Sequence, residues 1–246
     1  MPGGDVVYRY DGSFDGFLCC VFESYVRREL PLAIEPEENS QGFLYRERRI
    51  DTDPVHAERV FLSLQRKISA DAQRMVQQGF LTCAPQKELL LYRFIRLGYR
   101  HGAGVTRRLA DDTVNALNRA LKFLSNEAHY FKEFLRFSDH AGALTAVIEP
   151  KNLVLPLVGP HFSNRFPDET FLIYDEAHHM AYVQQENRAE IFPLESLELP
   201  APDAEELFWR RLWKRFFQTI AVEGRINPRC QMTHMPKRYW KNMVEQ

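Results

Sequence analysis

Apolar residues recur at helical spacing from about residue 54 to 80, 86 to 100 and 108 to 136, and after Ser138 that period stops. Beyond Ser138 the apolar residues fall in short runs, Leu144 to Glu149, Phe171 to Asp175 and Met180 to Gln184, parted by turns rich in Pro, Asn, Asp and Gly. A block of helices succeeded by a block of short strands cannot wind into a regular alternating α/β sheet, and it predicts an α+β fold. The helical segments break at Gly79, at Pro85 and at the Gly102/Gly104 pair. Asp53-Pro54 opens the first, because Asp caps and Pro suits the first helical position. Upstream, the pattern predicts a strand at Val6 to Tyr10, a turn at Asp11-Gly12 and a helix from Ser13 to Arg28. Ser13 is its N-cap, with Phe14, Phe17, Leu18, Val21, Phe22 and Tyr25 at helical spacing. The acidic, proline-bearing stretch Pro31 to Gly42 reads as a loop, and Phe43 to Ile50 as a short strand. Glu190 to Pro202 reads as a connection. The expectation is one α+β domain over residues 1–246, helix-rich, with a small antiparallel sheet. Its helical middle spans about 54–136, its sheet about 140–190, and an amphipathic basic helix plus basic tail occupies 203–246.

With 246 residues, 45% apolar and 13% aromatic, the chain can bury a sizeable core, which excludes global disorder. No apolar run approaches the ~20 residues that span a bilayer. Met1 to Tyr10 lacks the apolar run of an export signal, so the expected location is the cytoplasm, with no membrane partner. Cys19, Cys20, Cys83 and Cys230 form no CxxC or CxxxCxxC pattern, and the first two sit in an apolar stretch where buried free thiols are common. Of eight histidines only His178 and His179 are neighbours, in what reads as a turn between strands. HExxH, GxSxG, Walker A and Rossmann glycine patterns are all missing, and His101-Gly102-Ala103-Gly104 reads as a turn. No metal and no cofactor is expected.

The balance of 32 Lys and Arg against 33 Asp and Glu conceals an asymmetry. Residues 207–246 hold nine cations against Glu223 and Glu245, a net of +7, leaving −8 for residues 1–206. Such polarity points to a polyanion or to an acidic protein surface. On the helix expected from about Asp203 to Val222, Arg210, Arg211, Lys214, Arg215 and Gln218 fall in one arc of about 140°. Trp209, Trp213, Phe216, Phe217 and Ile220 lie opposite, which assigns the aromatic side to the core and the cationic side to the surface. Asp203 with Glu206 resembles a capping box. A second basic stripe, Arg93, Arg96 and Arg100, lies within about 60° on the helix near 86–100, flanked by Tyr92 and Tyr99. Arginine forks suit phosphates and aromatic faces stack on bases, although ion pairing with the acidic remainder would use the same residues.

The tail interleaves Arg225, Arg229, Lys237, Arg238 and Lys241 with Pro, Tyr239 and Trp240. It could lay cations along a phosphate backbone with Tyr239 or Trp240 stacked on an unpaired base, or dock those rings onto the protein's own core. The tail's "NPRCQMTHMPKRYWKNMVE" resembles the C-terminal signature of an uncharacterised bacterial family of DNA metabolism proteins. So do "YRYDGSFDGFLCCVFESY" at 8–25, "LYRFIRLGYRHG" at 91–102, "FLRFS" at 134–138, "VIEPKNLVLPLVGPHFSNRFPDETFLIYDEAHHMAYV" at 147–183 and "WRRLWKRFFQTIAVEGRINP" at 209–228. In that family the domain stands beside a radical-SAM protein acting on DNA, or ahead of a uracil-DNA-glycosylase-type domain. The resemblance therefore implies DNA repair or modification, with a radical-SAM protein as partner. This chain departs from it in ending at the tail with no glycosylase-type domain, in lacking the radical-SAM cysteine motif, and in the glycine of Glu223-Gly224-Arg225.

The leading expectation is a DNA-binding accessory factor without catalysis of its own. It would use Arg210, Arg211, Lys214, Arg215, Arg225, Arg229, Lys237 and Arg238 on phosphates, and Tyr239 and Trp240 on bases. A nucleic-acid enzyme is the alternative: His161 would supply acid–base chemistry, Arg165 a phosphate clamp, and Asp175 and Glu149 carboxylates. A protein–protein adaptor gripping an acidic partner through the basic tail is the third reading.

Overall fold

The structure is a computed structural model and describes residues 6–38, 45–140, 142–186, 188–199, 204–220 and 236–242. The protein is α+β. Its chain forms two compact units, residues 1–123 and 124–246.

In the first unit β1 (Val6–Tyr10) is the middle strand of a three-stranded parallel sheet, between β2 (Ala33–Pro36) and β3 (Arg46–Arg49). All five β1 residues are buried, as expected of a central parallel strand covered on both faces. The stretch read as a loop thus contains a strand, and Pro36 is tolerated because it ends β2 at the sheet's edge, where its missing N–H is not needed. Arg9 on β1 is buried yet pairs with Glu35 of β2 at 3.0 Å and Glu47 of β3 at 3.2 Å, so one guanidinium ties the three strands together.

Helix α1 (Phe14–Val26) comes next, and the Ser13 hydroxyl accepts from the Gly16 N–H at 2.9 Å, the cap its sequence predicts. Asp53 likewise caps α2 (Pro54–Lys67), accepting from Val55 N at 2.8 Å. The single helix expected over 54–80 is in fact two, because Ser69 leaves helical geometry and caps α3 (Ala70–Phe80) through Ala72 N. Gly79 does not break α3; a Cβ there would lie 2.6 Å from Leu91 Cδ2, so the glycine admits a close neighbour. Helix α4 (Lys87–His101) and a 3₁₀ turn (Gly102–Arg107) lead into α5 (Asp112–Phe134). Tyr8, Tyr10, Phe17, Leu64, Val76, Leu91, Phe94 and Leu117 belong to one buried cluster in this unit.

The second unit holds a five-stranded sheet in spatial order β4 (Ser138–His140), β5 (Ala143–Ile148), β6 (Phe171–Asp175), β7 (Met180–Gln185) and β8 (Arg188–Pro193). Three of its pairings are antiparallel, as expected, but β5 and β6 are parallel. A parallel pair needs a crossover, and α6 (Leu155–Arg165) supplies it. Part of the expected connection after Glu190 is β8, paired along its length with β7. Phe137 packs its ring on Phe162, Phe166 and Phe171 in the core between α6 and the sheet. Helix α7 (Ala204–Ile220) and a final 3₁₀ segment (Lys237–Asn242) complete the unit. No helix among the described residues is long and apolar enough to cross a membrane.

Candidate nucleic-acid interface

In the first unit, α4 buries Leu91, Phe94, Ile95 and Gly98 and so turns its arginines outward. Arg93 and Arg100 are exposed, and Arg96 is half-buried. The Arg96 guanidinium lies 5.4 Å from the Tyr25 ring and 5.6 Å from the Tyr92 ring, and donates to the Tyr92 hydroxyl at 3.1 Å. Tyr25 meets Tyr99 edge-on at 5.6 Å, and the Lys67 ammonium lies 5.7 Å from the Tyr99 ring. Burial pushes the Tyr25 phenol up to about 12, against the opposing pull of Arg96, so it is a hydroxyl at neutral pH. Among the described residues Arg93, Arg96 and Arg100 pair with no carboxylate. The stripe read from the sequence is thus a cluster of cations and aromatic rings. Tyr25 and Lys67 complete it from other helices, which spacing along α4 could not reveal.

In the second unit, α7 overturns the assignment of its aromatic side to the core. Trp209, Trp213 and Phe216 are 55%, 42% and 52% exposed. Amphipathic spacing shows that two faces differ in polarity, not that protein covers the apolar one. Arg211, Lys214 and Arg215 are exposed and, among the described residues, pair with no carboxylate. Arg210 differs: its guanidinium donates to Glu206 Oε1 at 2.7 Å and to Ser138 Oγ at 2.6 Å, which ties α7 to the start of β4. Glu206 is therefore engaged by Arg210, and Asp203 of the expected capping box lies outside the described residues. Beside this anchor runs a groove of about 730 Å³, lined by Arg136, Phe137, Trp209, Arg210, Trp213 and Phe216 among others.

The C-terminal tail divides. Arg225 and Arg229 lie outside the described residues. Lys237 is exposed, 5.8 Å from the Trp240 ring. Tyr239 is buried, 2% exposed, against Tyr130, Phe131 and Phe134 of α5, so its ring is not available to stack on a base. Arg238 bonds to Tyr239 and donates to Glu127 at 2.6 Å. Glu127, 1% exposed, also accepts from the backbone N–H of Lys151 at 3.0 Å and of Asn152 at 2.8 Å. Burial works against the Arg238 charge, but Tyr239 and Glu127 outweigh it and hold the proton more tightly than usual. This anchor went unread in the sequence although a signal exists: Glu127 sits amid Leu124, Ala128 and Phe131, all buried on the apolar stripe of α5.

The candidate catalytic residues do not assemble by direct bonding. His161 and Arg165 are exposed, one turn apart on α6, and neither makes a hydrogen bond or ion pair to Asp175. Partial burial, with Lys132 and Arg165 nearby, pushes the His161 imidazolium below its ordinary value. Asp175 is fully buried and accepts from Ala177 N, His178 N and the His178 ring, at 2.7 Å for the last. It organises the turn into β7, where His178 and His179 lie as the sequence predicts. Glu149 is exposed just past β5.

Neither the curated proteins nor the solved structures contain a match to this chain. A family defined by a domain of unknown function, DUF4130, matches residues 85–245, well over half of the sequence. That range takes in α4 with its arginines, the groove beside α7 and the Glu127 anchor, together with every resembling stretch from residue 91 onward. The chain belongs to the DUF4130 family.

Proposed function

We propose that the protein is a DNA-binding accessory factor in DNA repair or base modification, with the chemistry supplied by a radical-SAM or glycosylase-type partner. The observation that carries the reading is the row of exposed cations on α7, Arg211, Lys214 and Arg215, without carboxylate partners among the described residues and beside exposed aromatic rings. Cations left unneutralised by their own protein hold a polyanion, whose bound counterions are then released. Arg93 and Arg100 of the first unit offer the same chemistry. Arg210 and Arg238 are committed to Glu206 and Glu127 and serve the fold, so the phosphate contacts are assigned to the exposed residues.

The test is fluorescence-anisotropy binding of the purified chain to labelled DNA across a salt series. Affinity should fall by about 0.9 log unit per log unit of salt for each phosphate neutralised on duplex DNA. Changing Arg211, Lys214 and Arg215 together to Gln should weaken binding and flatten that slope. A folded protein that binds no DNA at low salt would sink the proposal.

A further inference from the structure

Resting on the DNA-binding reading, we infer that the groove between α7 and the Arg136–Phe137 segment receives a base of an unpaired strand, so that this surface prefers single-stranded DNA to duplex. Trp209, Trp213 and Phe216 fall within about 60° on the helix and form one apolar strip, with Trp213 and Phe216 ring centroids 5.8 Å apart. These rings are half exposed, yet they line a concavity whose volume of about 730 Å³ suits a nucleobase with its sugar. Arg136, Glu206 and Arg210 contribute polar groups to the same wall. The edge of a base offers donors and acceptors to such groups.

Charge selects among occupants. Arg211, Lys214 and Arg215 on the helix that walls this groove match the phosphates on either side of a seated base, and Arg136 and Arg210 add positive charge to the wall itself. An uncharged apolar ligand or a neutral partner helix would leave the three exposed cations of α7 unmatched. A bilayer matches the charge, but it meets a convex apolar stripe, whereas here charged groups share the concave wall with the rings. Duplex DNA presents phosphates to the cations but keeps its base faces stacked inside.

The experiment titrates the intact chain with labelled oligothymidine of about 15 nucleotides, the same strand annealed to its complement, and a strand of equal length carrying abasic residues, all at one salt concentration. Anisotropy reports affinity and tryptophan emission reports stacking. The intact strand should bind at least about tenfold tighter than duplex or abasic strand, and should quench tryptophan fluorescence. The double variant W209L/W213L should abolish that preference while keeping salt-dependent duplex binding. Equal affinity for all three DNAs with unquenched tryptophan overturns the base site and leaves phosphate binding standing, whereas no binding to any of them overturns both. Two further results overturn the base site. One is a blue-shifted emission on phosphatidylglycerol vesicles without any preference among DNAs. The other is a dimer in sedimentation that W209L/W213L dissociates and DNA does not.

Discussion

Glu127 shows how one side chain can organise chain far from it. Its buried carboxylate collects two backbone N–H groups, the Asn152 amide and the Arg238 guanidinium, joining α5 to the turn after β5 and to the C-terminal 3₁₀ segment. Removing one partner of a buried charged network leaves the rest unsatisfied. Glu127→Ala should therefore cost about 3 to 5 kcal/mol. Arg238→Ala should cost only about 1 to 2 kcal/mol, because its side chain is 37% exposed and water screens its charge. Urea midpoints of the two variants check the ranking, and equal losses would refute it. The same placement explains why truncating the tail is a poor probe of DNA contact: it would remove Tyr239 from the core along with the basic residues. The tail's composition was legible, but its partners were not, since composition does not say which ring is buried.

At the scale of elements, local chemistry was readable wherever it was self-contained. Ser13 and Asp53 cap the helices their positions predict, and strands β1, β6 and β7 fall where alternation and turn residues place them. Elements that depend on a neighbour were misread. The strand β2 draws its order from pairing with β1, and β8 draws its order from β7. The packing of α6 on the sheet is likewise a matter of partners. A Cβ on Gly159 would overlap the ring of Tyr182 on β7, whose hydroxyl bonds to Ser163 on the same helix at 2.6 Å. Gly159→Ala should force that buried ring aside and destabilise the protein by about 1 to 3 kcal/mol, despite alanine's better helix propensity. Thermal denaturation monitored by near-ultraviolet circular dichroism would register both the loss and the displaced tyrosine; an unchanged Tm would refute the close contact.

At the scale of the molecule, the family match and the structural units do not share a boundary. The match begins at residue 85, whereas α4 belongs to the unit of residues 1–123 and packs on β2 and α3. A fragment of residues 85–246 would leave Leu91, Phe94 and Ile95, each fully buried in the intact chain, without partners from β1 to α3. Such a fragment should aggregate or elute as a misfolded species on size exclusion, and a well-folded monomer would refute this.

The sequence by itself determined the α+β class, the capped helix starts, the turns and the asymmetric charge, because each comes from the conformational preferences of a few consecutive residues or from a count. Only the tertiary structure decided which apolar faces are covered. It placed Tyr239 in the core and left Trp209 and Trp213 at the surface, although both sets lie in basic, aromatic-rich stretches. It also set the parallel pairing of β5 with β6 and the engagement of Arg210 and Arg238 by carboxylates, while Arg211, Lys214 and Arg215 stay open to a polyanion. Burial and pairing are properties of groups distant along the chain, and local periodicity records only that a face is apolar, not what meets it.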